Sequence, residues 1–211
     1  MAQEYSEVGF RNFESTKKKS NFKKPVSSCY GLTNKTKDGQ FVLFADYDNI
    51  LFDVLIRELD DLIKAFPNQF CNFLILESSE SKLVKQGIVG SYHVVNFAKF
   101  PYQLMREKLA RLSVDEDFYK LPQKTSYRTN TLRISPKFAW GSEKVLKDAP
   151  RFICYYPVEK KLEPKNPASV STAHRSTYES LLRVPAFKFN WSKKEDGFQT
   201  IQIKKYDSLK G

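Results

Sequence analysis

The 211-residue sequence predicts an α+β fold built on a β-α-β-β-α-β core, with additions at both ends. Two observations carry this. Short apolar or alternating runs suited to strands are interrupted, within the central hundred residues, by two stretches whose apolar residues recur at helical spacing. The chain is also 41% hydrophobic with 17 Phe and 11 Tyr, enough for a sizeable core, which excludes disorder of the whole chain.

The elements follow in order. Residues 1–40 are polar and Lys-rich, with Lys17, Lys18, Lys19, Lys23 and Lys24 close together. They form a basic arm, suited to solvent or to phosphate. Residues 41–45 are five apolar residues in a row and read as a strand ending in Asp46-Tyr47-Asp48. Asn49 then suits the N-cap of a helix whose apolar face is Phe52, Leu55, Leu59, Leu62, Ile63 and Phe66, stopped by Pro67-Asn68. Residues 70–76 make a second strand, a polar loop runs to Gly90, and residues 92–97 make a third. Pro101 suits the first turn of a second helix carrying Leu104, Met105, Leu109 and Leu112. After another polar loop, residues 129–135 alternate as a half-buried fourth strand. This order is the split βαβ, or ferredoxin-like, pattern. With a further strand at 151–156 the core spans residues 41–157. Residues 158–211 then read as a Lys/Pro-rich linker, a helix over 172–183 and a hairpin around Asp196-Gly197, packed on the core.

Lys and Arg number 35 against 24 Asp and Glu, a net charge of +11, which favours a polyanionic partner. Cys29, Cys71 and Cys154 are scattered and odd in number, so neither a disulfide framework nor a zinc site is predicted. No apolar run has membrane length and the N-terminus carries no secretory segment, so a soluble protein of a reducing, intracellular compartment (cytoplasmic, nucleoid or nuclear) is expected, with no membrane partner.

Right-handed crossovers place strands one and three side by side and antiparallel, with strand four on the other flank of strand one. The end of strand one, with Asp46 and Asp48, then meets the start of strand three, with Ser91 and His93. Residues two apart on a strand share a face, so the carboxylates project together. Two such acids suit a divalent cation, though they also suit a strand end and helix cap. His93 reads as a phosphate donor or as an ordinary strand histidine, and Arg133 and Lys137 as phosphate cations or surface charge.

These residues resemble the archaeo-eukaryotic primase, or primase-polymerase, superfamily. Asp46-Tyr47-Asp48 is similar to its DhD motif and Ser91-Tyr92-His93 to its SxH motif. The segment YRTNTLRISPK, residues 127–137, is similar to the strand from which an Arg and a Lys reach incoming nucleotide. The resemblance covers roughly residues 41–156 and implies an RRM-like core. It also implies template-directed DNA primase/polymerase nucleotidyl transfer in DNA replication, using Mg²⁺ or Mn²⁺. In that role Asp46 and Asp48 are catalytic metal ligands, and His93 lies on the triphosphate. Ser91, His93, Arg133 and Lys137 bind nucleotide, and Lys17, Lys18, Lys19 and Arg128 contact nucleic acid. Partners are a single-stranded DNA template and nucleoside triphosphates. A helicase or other replication protein joins them, because the chain has no helicase module of its own. It is then a bare catalytic domain or a fragment.

The family's third metal-binding acid precedes the Arg-bearing strand, but residues 120–131 contain no acid. Glu77 is two strand spacings, about 10 Å, from strand one. Asp115, Glu116 and Asp117 reach the site only if the end of the second helix folds back over it. The sequence therefore predicts one firm and one weak metal site, better served by Mn²⁺. The alternative is a non-catalytic, RRM-like binder of single-stranded nucleic acid, stacking bases on Phe44 and Phe97.

Overall fold

The computed structural model describes residues 10–12, 27–124, 128–139, 144–183, 189–193 and 199–203, with side chains described for residues 29, 31–120, 128–139 and 144–182. Lys17, Lys18 and Lys19 lie outside the described residues. The strands are β1 (Phe10–Asn12), β2 (Ser27–Ser28), β3 (Tyr30–Thr33), β4 (Phe41–Leu51), β5 (Phe73–Val84), β6 (Gly87–Phe100), β7 (Thr131–Arg133), β8 (Lys137–Ala139), β9 (Val145–Lys147), β10 (Arg151–Tyr156), β11 (Phe189–Lys193) and β12 (Gln199–Ile203). The helices are α1 (Phe52–Ala65), α2 (Tyr102–Leu109), α3 (Glu116–Lys124) and α4 (Thr172–Arg183), with a 3-10 turn at Pro167–Ser169. The protein is a mixed α+β molecule in which every described strand pairing is antiparallel.

The central sheet has the order β10-β5-β6-β4. β6 is antiparallel to both β4 and β5, so those two run parallel, and α1 crosses between them. The apolar run Phe41–Ala45 is buried throughout, which the sheet achieves by covering both faces. On one face α1 inserts Leu55, Leu59 and Leu62, and its Glu58 accepts the Tyr47 hydroxyl at 3.1 Å. On the other, Tyr178 of α4 packs edge-on to Phe44, ring centroids 6.2 Å apart, and lies 5.9 Å from Phe97. Removing side chains of this size from water stabilises the fold by roughly 1.5–3 kcal/mol each. His174 anchors α4, with its ring nitrogens 2.8 Å from Ser171 Oγ and 2.9 Å from the Thr33 carbonyl. The C-terminal helix thus lies on the core.

Several elements differ from the sequence reading. Strand β4 continues to Leu51, so Asn49 does not cap α1: the cap residue is Leu51, which makes no side-chain cap bond. Asn49 instead sits at φ 53 in a bulge between Tyr47 and Ile50, a conformation Asn tolerates. The polar stretch before Gly90 is not a loop but the far half of a β5–β6 hairpin. Residues 31–34, placed in the arm by composition, are buried beside the core. β7, expected against the first core strand, hydrogen-bonds to β3 in a sheet of order β1-β3-β7, while β10 on β5 completes the central sheet. Asn34 fixes that choice: its N–H donates to the Asn130 carbonyl at 3.0 Å, and its Oδ1 accepts from the Asn130 N–H at 3.0 Å. A third helix, α3, occupies part of the expected polar loop. Among the described residues no helix is long and apolar enough to cross a membrane.

Candidate functional site: an acidic cluster at the end of β4

Asp46 and His93 are directly opposite each other in the β4–β6 register, and His93 Nε2 lies 3.5 Å from Asp46 Oδ1. This is the contact that adjacent antiparallel strands impose on facing residues. His93 is buried at 4% exposure, whereas the Asp46 side chain keeps 29%. Burial pushes the Asp46 carboxyl up to about 7; the charges of Asp48 and Asp115 push the same way, against weaker pulls from Lys147 and Arg133. Burial likewise holds His93 down at about 3, helped by Arg133 and Lys147 and opposed by a backbone hydrogen bond at Arg133. An ion pair would move both groups the opposite way, so the contact joins a neutral imidazole to a carboxyl that is about half protonated near pH 7. His93 Nδ1 is buried with no hydrogen-bond partner.

Asp48 lies exposed in the β4 bulge. Bulges also interrupt β5–β6 pairing at Glu77/Ser79 and Ser79/Lys82, so irregularities gather at the end of the sheet that carries the acids. Such bulges re-aim side chains and are common beside active sites. Ser91 is buried, and its Oγ accepts the Asn49 N–H at 3.5 Å, which ties β6 to that bulge.

A third acid, Asp115, comes near Asp46 through its backbone. Its backbone N–H donates to the Asp46 carbonyl at 2.8 Å, and its Oδ1 accepts the Phe118 N–H at 2.8 Å, capping α3. The chain after α2 does fold back: the Ser113 N–H also donates, at 2.9 Å, to the same Glu58 carboxylate that holds Tyr47. The fold-back that the sequence reading set as the condition for Asp115 to come near Asp46 is therefore met at the backbone. Glu77 is committed elsewhere, ion-paired to Arg151 and accepting the Ser81 N–H at 3.0 Å. Among the described residues, no three His, Cys, Asp or Glu side chains form a ready-made metal group.

Arg133 is close enough for its charge to act on Asp46, but its guanidinium is not an open fork. Nη1 donates to the carbonyls of Ser135 (2.6 Å) and Asp148, and Nη2 to that of Ser78 (2.6 Å). Arg133 thus clamps the β7–β8 and β9–β10 links onto β5 through backbone carbonyls. Beside the clamp, Lys137 stands directly opposite Lys147 in the β8–β9 register, a like-charge pairing that destabilises a hairpin unless an anion is shared. Lys147 is exposed, acts on both Asp46 and His93, and lines a cleft of about 660 Å³ with Ser78 and Arg151. The sequence reading missed it, for nothing in Val145-Leu146-Lys147 distinguishes this lysine from the others. Arg128 is not brought to the site: its guanidinium lies 5.6 Å from the Tyr102 ring, which packs on Phe41 at the opposite end of β4. Phe44 and Phe97 are buried at 0% and 2% beneath α4, so neither offers a face to a base. No family profile, curated protein or solved structure matches the chain.

Proposed function

We propose that this chain is a divalent-metal-dependent nucleotidyltransferase of the primase-polymerase kind, extending nucleic acid on a single-stranded DNA template from nucleoside triphosphates. The observation that carries the reading is the half-buried Asp46 carboxyl, raised to about 7 by burial and by two further carboxylates, and register-paired with a buried neutral histidine. The carboxylate oxygens of Asp46 and Asp48 suit a hard cation such as Mg²⁺ or Mn²⁺, whose charge would relieve the repulsion that helps to raise Asp46. The order β4-β6-β5 with α1 as the crossover supports an RRM-like, ferredoxin-like core.

Bound there, the metal would polarise phosphate oxygens and favour the ionised form of an attacking hydroxyl. The chain's own residues supply the rest. Asp46 and Asp48 would hold the cation, and Asp115 is the further acid whose charge reaches Asp46. His93, buried and neutral, meets Asp46 through Nε2 and positions that carboxyl without competing for the cation. Lys147 and Lys137 meet phosphate charge, and Arg133 keeps their hairpin in place by its three carbonyl bonds. A 3′-hydroxyl oxygen bonds to the α-phosphorus, its proton passing to solvent water, as the bond to the leaving pyrophosphate breaks. Orientation and charge neutralisation are the main contributions a protein makes to this chemistry.

Labelled nucleotide incorporation on a primed single-stranded template with Mg²⁺ or Mn²⁺ tests the reading. Incorporation by the wild type, and none by Asp46→Ala or Asp48→Ala, is expected. Equal incorporation by Asp46→Ala removes the acids from the reaction. A wild type that binds template but never incorporates leaves a binding protein.

A further inference from the structure

Past the acid cluster, β5 and β6 continue as a two-stranded arm. Pairing of β5 with β10 ends at Glu77, and pairing of β6 with β4 ends at Val89, so residues 79–88 have only each other as strand partners among the described residues. In this arm Leu83 is directly opposite Ile88, Val84 opposite Gly87 and Lys82 opposite Val89. Facing residues share a side, so Leu83 and Ile88 form an apolar pair on one face while Lys82 and Val84 occupy the other. Leu83 is 83% exposed, Ile88 49% and Val84 40%. Lys82 and the turn residue Lys85 are exposed beside them.

Burial does not account for these three apolar residues, because none is buried. An isolated two-stranded hairpin is marginal in water, and exposed apolar strands invite aggregation, so selection for stability alone favours polar residues there. Apolar side chains at a projecting tip with flanking cations have a specific use on nucleic acid: they enter a base step and unstack it while lysines meet the phosphates. The net charge of +11 favours that partner over a neutral surface. Distance agrees as well. Ile88 is five strand residues from His93, roughly 17 Å at 3.3 Å per residue. That is about five base steps at 3.4 Å each, so a strand engaged at the acids reaches the tip within half a helical turn.

We propose that the β5–β6 tip, with Leu83, Val84 and Ile88 flanked by Lys82 and Lys85, is a wedge that binds nucleic acid at the junction between single strand and duplex. The proposal rests on a nucleic-acid substrate at the acid cluster but not on catalysis there. The apolar residues recognise the last stacked base step, which is why a junction is preferred to a continuous strand. The lysines contribute sequence-independent affinity.

Fluorescence anisotropy in EDTA, with a labelled junction and a labelled single strand, tests the wedge without chemistry. Leu83→Asp/Ile88→Asp is expected to weaken junction binding by about tenfold or more, the scale of one lost base-step contact, and single-strand binding much less. Lys82→Gln/Lys85→Gln is expected to lower the salt slope by about two, one per phosphate contact. A 2-aminopurine at the junction should brighten with the wild type and stay quenched with the Asp pair. Leu104→Asp, an exposed apolar residue of α2, is the control, and circular dichroism checks that every variant is folded. Unchanged junction affinity in a folded Leu83→Asp/Ile88→Asp protein overturns the wedge, as does an equal loss in Leu104→Asp. A tip that instead mediates self-association or vesicle binding, with DNA affinity intact, also overturns it. Junction binding with tip dependence but no incorporation sinks the catalytic reading and leaves the wedge standing.

Discussion

Replacing Asp46 by Asn should stabilise the metal-free protein while abolishing its chemistry. The folded state holds the Asp46 proton up to about pH 7, whereas the unfolded chain releases it near 3.8. A raised folded value means that stability is full below 3.8 and is lost as pH rises through 7. The shift is about three units, and each is worth about 1.36 kcal/mol, so the ionised group costs at most about 4 kcal/mol above pH 7. The side chain is 29% exposed and two coupled carboxylates share the penalty, so a gain of about 1–3 kcal/mol is expected for the variant. Urea unfolding in EDTA measures it. The gain should be small below about pH 4, grow steadily between about pH 4 and 7, and level off above 7. Mn²⁺ should then stabilise the wild type and leave the variant almost unmoved, closing the gap. A gain that does not depend on pH, or a variant less stable than the wild type at pH 8 in EDTA, would show that Asp46 is not crowded by like charge.

Asp115→Asn should weaken Mn²⁺ binding by several-fold in calorimetry while keeping the α3 cap, because an amide oxygen can still accept the Phe118 N–H; unchanged affinity excludes Asp115 as a ligand. Arg133→Lys keeps the charge but loses the three-carbonyl clamp, and a drop of about 2–4 kcal/mol in unfolding free energy is expected. A stable Arg133→Lys protein with only nucleotide binding impaired would return Arg133 to the phosphate. Lys147→Gln should raise the dissociation constant for nucleoside triphosphate roughly tenfold, the worth of one charge-assisted hydrogen bond; equal binding by wild type and variant removes it from the phosphates. His174 is held below its ordinary value by burial, so stability should fall as pH drops below 6.5, and His174→Gln should flatten that part of the profile.

Much of the site's frame was readable before the structure. The position of His93 opposite Asp46 follows from strand order: with right-handed crossovers, the first and third core strands must be neighbours, and facing residues on neighbours touch. Helix α1 was equally plain, since its apolar residues recur on one stripe. The far half of the β5–β6 hairpin was not, because Ser79, Glu80, Ser81, Lys82 and Lys85 break the alternation that marks a strand, and only the partner across the ladder makes it one. Asp115 was hidden for a related reason. Its approach depends on two backbone N–H groups, those of Ser113 and Asp115, finding Glu58 and Asp46 from a loop of no distinctive composition.

The sequence by itself determined the residue chemistry: which acids exist, which lie on strands, and which two strands carry them side by side. These follow from local periodicity and chain chirality, which act over short spans. The tertiary structure alone decided what is free to react. Arg133 has the type of a phosphate-binding residue, yet backbone carbonyls of Ser78, Ser135 and Asp148 occupy its guanidinium, and carbonyls carry no sequence signature. Phe44 and Phe97 have the type of base-stacking residues, yet α4, some eighty to a hundred and thirty positions later, covers them. Asp46 has the type of an ordinary ionised carboxylate, and only the burial and the neighbouring carboxylates that folding supplies raise it to about 7.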